Sequence, residues 1–295
     1  MMPRSSTYNP EAIYLEADRR DNTACASTDA LSALMRLVVV RSPEFSIEAA
    51  LLGLFMISAC VFTVLFWLPS SPVPESIPSV FFRRVLTGAA MGLTAIALIY
   101  SPWGQRSGAH MNPSVTLTFC RLGKMRIGEA ILYVLAQFVG GIGGVWIATQ
   151  LLGSNLGRPE VRYAATYPGR TGTMQAVVGE FVISFVLMSI VLHTSNHPKL
   201  SRYTGLFAGL LVAAYIAFES PYSGMSMNPA RTFASALPSG IWRAFWIYLI
   251  VPPLAMLTAA EFYTRTGSGR QVMCCKMYHN PQKDCTFCGR NGDHR

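Results

Sequence analysis

Six apolar stretches, nearly free of charge, constrain this chain more than anything else in it; they lie at about 45–68, 81–100, 127–152, 174–194, 203–218 and 241–263. Most approach the ~20 residues that a helix needs to cross a bilayer. Hydrophobic residues make up 51% of the chain and charged residues only 13%, with a mean hydropathy of +0.34, so lipid rather than water is the expected solvent of these helices. The fifth stretch is short, and its helix is expected to begin at the membrane surface near Leu200, with Arg202 reaching toward headgroups.

Between the stretches one short sentence is written twice. Ser-Gly-x-x-Met-Asn-Pro-small-x-Thr runs from Ser107 to Thr116 and again from Ser223 to Thr232. Asn before Pro opens a helix, because the Asn oxygen caps free backbone N–H groups and Pro fits the first helical position, where its missing N–H costs nothing. Each copy reads as loop, cap and short helix, about 113–122 and 229–238. At ~1.5 Å per residue such a helix covers roughly 15 Å, half of a ~30 Å hydrocarbon core. Three spans separate the copies, so they enter from opposite faces. The expected fold is an all-α membrane protein, six transmembrane helices plus two re-entrant half-helices in an inverted repeat, with halves at about 44–152 and 174–263.

Non-helical backbone survives in hydrocarbon only where protein or a water-filled cavity satisfies it, so two re-entrant loops imply a pore. Each half-helix aims its amino end, with roughly half a positive charge, at the midplane, which raises a barrier to cations. Asn112 and Asn228 cap these ends through oxygen and keep their NH2 groups for donation into the lumen. A central water accepting from both can only donate to its neighbours, which interrupts proton hopping along the file.

Basic residues set orientation. With both termini cytoplasmic, 17 of the 24 Lys and Arg residues fall on that side. The net charge of +9 is then a topogenic and anionic-lipid signal, and no nucleic-acid motif accompanies it. Residues 1–43 contain no signal-peptide core and read as a disordered cytoplasmic arm. The loops after the first span and from Gly153 to Gly172 are rich in turn formers and are expected to be an extracellular rim without functional work. Gly140, Gly141, Gly143 and Gly144 in the third span are expected to serve close helix packing.

The paired boxes Asn112-Pro113-Ser114 and Asn228-Pro229-Ala230, with His110 before the first, Arg231 after the second and Glu180 in the fourth span, resemble the aquaporin and glycerol-facilitator (major intrinsic protein) family over about residues 44–263. The resemblance implies a six-helix bundle with two half-helices, assembled as a homotetramer with one pore per subunit in a cell (plasma or inner) membrane. It implies a selectivity filter at Met91, Ile216, Met225 and Arg231, and a buried Glu180 that accepts backbone N–H groups of a re-entrant loop. It places His110 in the cytoplasmic vestibule or as a holder of the loop, with pH gating a third role. The chain departs from the family pattern in three places. Ser114 stands for the usual Ala. The family's first-span glutamate aligns, through Gly53 and Phe55, with Ala50 rather than Glu48. The filter lacks the His of water-selective members, while Thr232 stands where glycerol-type members carry Asp.

The expected activity is passive conduction of water or small uncharged solutes such as glycerol, hydrogen peroxide or ammonia, through a filter more hydrophobic than a water-specific one, with no cofactor for transport and no enzymatic machinery. A coupled secondary transporter, which also uses broken helices, and a closed structural protein of the same fold are the alternatives. The region 264–295 is a basic Cys/His-rich tail. Its Cys275, His279, Cys285 and Cys288, with His294 nearby, offer ligands for one tetrahedral structural zinc, set against free or palmitoylated thiols in a disordered tail.

Overall fold

A computed structural model describes the backbone of residues 26–266, 272–279, 285 and 287–289, and the side chains of these from Val38 onward. Residues 1–40 and 41–295 are separate compact units. In the first, the described part is helical from Ala26, so residues 26–43, read above as part of an arm, are helix instead; residues 1–25 lie outside the described residues. The apolar run Leu37 to Val40 explains the extension, because it continues the hydrophobic character of the span behind it and Pro43 does not end the helix.

The elements in chain order are α1 (Ala26–Trp67), α2 (Pro72–Ser76), α3 (Val80–Tyr100), α4 (Pro102–Ser107), α5 (Pro113–Arg121), α6 (Ile127–Leu152), α7 (Thr173–Ser195), α8 (Thr204–Phe218), α9 (Ser220–Ser223), α10 (Pro229–Ser239) and α11 (Phe245–Thr266). Six helical segments are long and apolar enough to cross a membrane: Val38–Trp67, Val80–Tyr100, Ile127–Gly157, Thr173–Ser195, Ser201–Phe218 and Phe245–Thr266. Their outward faces carry Leu93, Val139, Trp146, Leu151, Leu210 and Phe262, all exposed. Water would not tolerate such a belt on a monomer, whereas lipid solvates it.

The inside is where polar groups gather. Glu48, Gln137, Glu180, Thr116 and Thr232 are buried. Helices approach closely where side chains vanish: a Cβ on Gly140 would run into the Ala49 carbonyl, and one on Gly144 into that of Gly53, which holds α6 against α1. Gly141 meets Ala234 of α10, whereas a Cβ on Gly143 would meet no neighbour among the described residues. Gly88 and Gly92 of α3 meet Ala213 and Gly209 of α8 in the same way. The two short helices exchange partners between halves, α5 packing on α11 and α10 on α6.

Candidate pore and tail cluster

The two copies of the repeated sentence fold alike, and they hold each other. Asn112 has extended dihedrals (φ −156°, ψ 120°), and its Oδ1 accepts from Ser114 N at 2.9 Å. Asn228 does the same (φ −146°, ψ 107°), accepting from Ala230 N at 3.1 Å and Arg231 N at 3.2 Å. Pro113 and Pro229 occupy the first helical turn. The two amide groups then cross: Asn112 Nδ2 donates to Met227 O and Asn228 Nδ2 to Met111 O, both at 2.7 Å. One of the two amide hydrogens on each Asn is therefore spent on the opposite loop, and one remains, a refinement of the expectation that both NH2 groups are free.

The loops before the caps are strained in matching places. Ala109 and Met111 in the first, and Met225 and Met227 in the second, have positive φ between 49° and 56°. Non-glycine residues stay there only if their surroundings fix them. A buried carboxylate does so on each side. Glu180 Oε1 accepts from Ser223 Oγ (2.9 Å) and Ser226 N (2.6 Å), and Oε2 from Met227 N (2.8 Å). Glu48 Oε1 accepts from Ser107 Oγ (2.8 Å) and His110 N (3.0 Å), and Oε2 from Met111 N (2.8 Å). The alignment with Ala50 is thus corrected, since the first loop's carboxylate is Glu48 and Ala50 is exposed. Tyr133 and Tyr248 complete the match by donating to Ser107 O and Ser223 O.

A cavity of about 650 Å³ runs past both caps. Met91, Ile216, Met225 and Arg231 all line it, as do Asn112, Asn228 and His110. Met91 and Met225 are buried. Arg231 Nη1 donates to Thr166 Oγ1 at 3.1 Å, and Thr166 Oγ1 lies 2.9 Å from Thr232 Oγ1, which also bonds Ser226 Oγ. Thr166 belongs to the loop dismissed above as rim. That loop is built into the site instead: Gly169 N donates to Tyr222 O at 2.9 Å, and a Cβ on Gly169 would strike the Pro221 carbonyl. No local pattern marks Thr166 in the sequence, because its partners lie 65 and 66 residues away. Ser114 is buried, and its Oγ makes no hydrogen bond among the described residues.

At the other mouth His110 lines the cavity and uses both ring nitrogens. A carbonyl can only accept, so Nε2 carries the hydrogen donated to Cys275 O (2.8 Å), and in the neutral ring Nδ1 is an acceptor 3.0 Å from Thr116 Oγ1, whose one hydrogen also faces Asn112 O at 3.2 Å. The tail thus reaches the pore. Its Cys/His group is Cys274, His279, Cys285 and Cys288, with ligand atoms all within 4.8 Å of one another. Cys275, assigned to this group from spacing, is replaced by its neighbour Cys274, because the chain at 275 is turned toward His110; His294 lies outside the described residues. The thiol of Cys274 holds the Cys285 thiol far below its ordinary value against the effect of burial, helped by His279 and by backbone N–H groups of Cys288 and Phe287.

Ser223 Oγ also lies 2.9 Å from Oε2 of Glu219, one residue beyond the fifth span, so a single hydroxyl hydrogen faces two carboxyl groups. Burial pushes the Glu219 carboxyl up to about 8, against the pull of the hydrogen bond it accepts from Ser223 and with the Glu180 charge adding to the rise. A folded value above the ordinary carboxylate value means that the folded state holds the extra proton, and stability falls as pH rises between about 4.5 and about 8. The melting temperature of detergent-purified protein is expected to drop across that window, and Glu219→Gln to flatten the drop; an equal drop in the variant would remove Glu219 from the account.

A bundle with an apolar outside, paired Asn-capped helices and a cavity threading between them defines a membrane protein of the channel-forming type. A model of the Major intrinsic protein family matches residues 47–263, and the chain belongs to that family. Among similar proteins, aquaporin NIP3-1 of Oryza sativa subsp. japonica is 30% identical over 243 residues, covering 82% of this chain and 75% of that protein. Aquaporin NIP1-1 of Arabidopsis thaliana is 33% identical over 177 residues, 58% of this chain, and the chain spans 59% of that relative's length. The X-ray structure of the aquaglyceroporin from Plasmodium falciparum shares the fold, with a TM-score of 0.60 at 17% identity over 75% of this chain and 95% of the other.

Proposed function

We propose that the chain is a passive transmembrane channel for water or small uncharged solutes that excludes protons and ions. The observation that carries this reading is the cavity that passes Arg231 and the crossed Asn112 and Asn228 caps. The remaining amide hydrogen on each Asn is available to orient a passing water, and the paired helix ends oppose cations. Arg231 adds a guanidinium to the cavity wall, to which Met91, Ile216 and Met225 supply apolar surface. A coupled transporter fits less well: Glu48 and Glu180, the carboxylates beside the break, are occupied with backbone N–H groups and do not line the cavity. The relatives' names support the same reading. We place the protein as a homotetramer in a cell membrane with both termini cytoplasmic.

Full-length protein in proteoliposomes, as purified and after metal chelation, is expected to shrink under osmotic challenge several-fold faster than empty liposomes. Rates equal to empty liposomes in both states would sink the channel reading. Met225→Ala is expected to raise glycerol flux several-fold over wild type by removing a bulky apolar side chain from the wall of the cavity that Arg231 also lines; unchanged glycerol flux would show that Met225 does not constrict.

A further inference from the structure

The tail does two things in one short segment. Cys274 and His279 belong to the four-residue Cys/His group, and the residues between them touch the His110 mouth. Cys275 O accepts from His110 Nε2 at 2.8 Å, Lys276 Nζ donates to Gln105 O at 2.8 Å, and Met277 N donates to Gly108 O at 3.1 Å. Met277 is buried and lines the same cavity as Asn112 and Arg231. Tyr278 lies edge-on to Tyr100, with ring centroids 5.0 Å apart. Behind the loop, Phe287 packs under the Arg41 guanidinium (4.8 Å) and the Lys276 ammonium (5.5 Å), next to the pair of ligands Cys285 and Cys288.

The ligand atoms suit one ion. Cys274 Sγ and Cys285 Sγ are 3.6 Å apart, and His279 Nε2 and Cys288 Sγ are 3.3 Å apart. Zinc bound tetrahedrally by thiolates at ~2.3 Å and imidazole at ~2.0 Å has ligand-to-ligand edges of roughly 3.5–3.8 Å. A disulfide needs sulfurs at ~2.05 Å, and these cysteines are free. Three sulfurs and one nitrogen, half of them buried, make a closed structural donor set rather than a catalytic one with an open position.

We propose that Cys274, His279, Cys285 and Cys288 bind one zinc ion, and that the ion closes the loop 275–278 into a lid whose tip, Met277, narrows the His110 mouth of the pore. The lid rests on the channel reading for its effect on flux but not for its metal. Without the ion, the loop is held among the described residues by three hydrogen bonds, the Tyr278–Tyr100 contact, the Lys276–Phe287 contact and the burial of Met277, and the four ligands by the Cys274–Cys285 and His279–Cys288 contacts alone. With it, the ends of the loop are fixed and the carbonyl of Cys275 is presented to His110. Gain or loss of the ion at this site then becomes a way of changing conduction from the side of the membrane that holds the tail.

The test uses full-length protein purified without chelator. Mass spectrometry is expected to find about one zinc per chain, the double variant Cys285→Ser/Cys288→Ser to lose it, and Cys275→Ser to keep it. Zinc near zero in wild type, or loss on Cys275→Ser with retention in the double variant, would overturn the site. Removing zinc is expected to expose the tail to protease at Lys276 and to raise water flux at least about threefold, with zinc addition reversing both. A tail equally protected with and without zinc would overturn the lid whatever the flux, and flux unchanged by zinc in a conducting protein would do the same. Absence of flux in every condition strikes the channel reading instead, and leaves the metal content and the protection assay to decide the lid. Met277→Ala, which keeps all four ligands, is expected to raise zinc-bound flux toward the stripped level; an unchanged flux in that variant would overturn Met277 as the obstruction.

Discussion

Glu180→Gln is expected to prevent recovery of a monodisperse, thermally stable channel, although it exchanges a single atom. Both Glu180 oxygens accept: Oε1 from Ser223 Oγ and Ser226 N, Oε2 from Met227 N. A glutamine has one acceptor oxygen, so in either orientation its NH2 group is set against a backbone N–H that has no other partner. Leaving a buried donor unmade costs roughly 1–3 kcal/mol, and hydrogen bonds to a charged group contribute more than neutral ones. The loop it holds is also bent at Met225 and Met227, each with positive φ, so the lost bonds are those that keep a strained segment in place. A loss of several kcal/mol out of a total of about 5–15 is a large part of the fold. Glu48→Gln is expected to do less harm, because Gln137 Nε2 already donates to Glu48 Oε2 at 3.1 Å and its own Oε1 has no partner. By turning over, Gln137 can accept from the new amide, at the loss of its own donation to Thr116 Oγ1 (3.0 Å), so the relief is partial. Size-exclusion profiles and melting curves in detergent check the ranking; a Glu180→Gln protein that melts like wild type would refute it.

The same comparison shows how far the sequence could be read. The six spans and the two Asn-Pro caps were legible because each depends on its own stretch of chain: hydropathy sums over neighbours, and a cap needs only the next three residues. Glu48 was misplaced by two residues, a shift that turns a helix position through about 200° to the opposite face. The repeat itself held the signal that was missed. Once Glu180 is assigned to the second loop, the first loop, with the same donors at Ser107, His110 and Met111, demands a carboxylate of its own, and Ala50 has none to offer. Thr166 left no such signal, since its value lies entirely in contacts made across the fold to Arg231 and Thr232. Cys274 and Cys275 are adjacent and chemically identical. Which of them turns toward the other ligands is decided by the contact of the next carbonyl with His110, a fact of tertiary structure that spacing does not contain.

Arg231→Ala is expected to produce the largest change in selectivity without unfolding the bundle. Its guanidinium lines the cavity and is held from two sides: the backbone N–H belongs to the Asn228 cap, and Nη1 donates to Thr166. The cap survives the substitution, because the N–H remains. What disappears is a fixed positive charge at the wall of a mostly apolar cavity. At an effective dielectric constant of about 20, a unit charge 4 Å away repels a cation by roughly 4 kcal/mol, and every ~1.4 kcal/mol is tenfold. Much of the barrier stays with the helix ends at Asn112 and Asn228, so the expected rise in leak of small cations is at least about tenfold rather than the full amount. Glycerol flux is expected to rise as well, since a bulky polar group has gone from the cavity wall beside the Asn228 cap. Thr166→Val separates the two effects: the charge stays and cations remain excluded, while the freed guanidinium lets larger neutral solutes pass faster. Potential-driven cation entry and glycerol swelling, measured side by side in proteoliposomes, distinguish the variants. An Arg231→Ala channel that still excludes cations as wild type does would mean that the capped helix ends alone set the barrier, and that the arginine serves only to shape the wall.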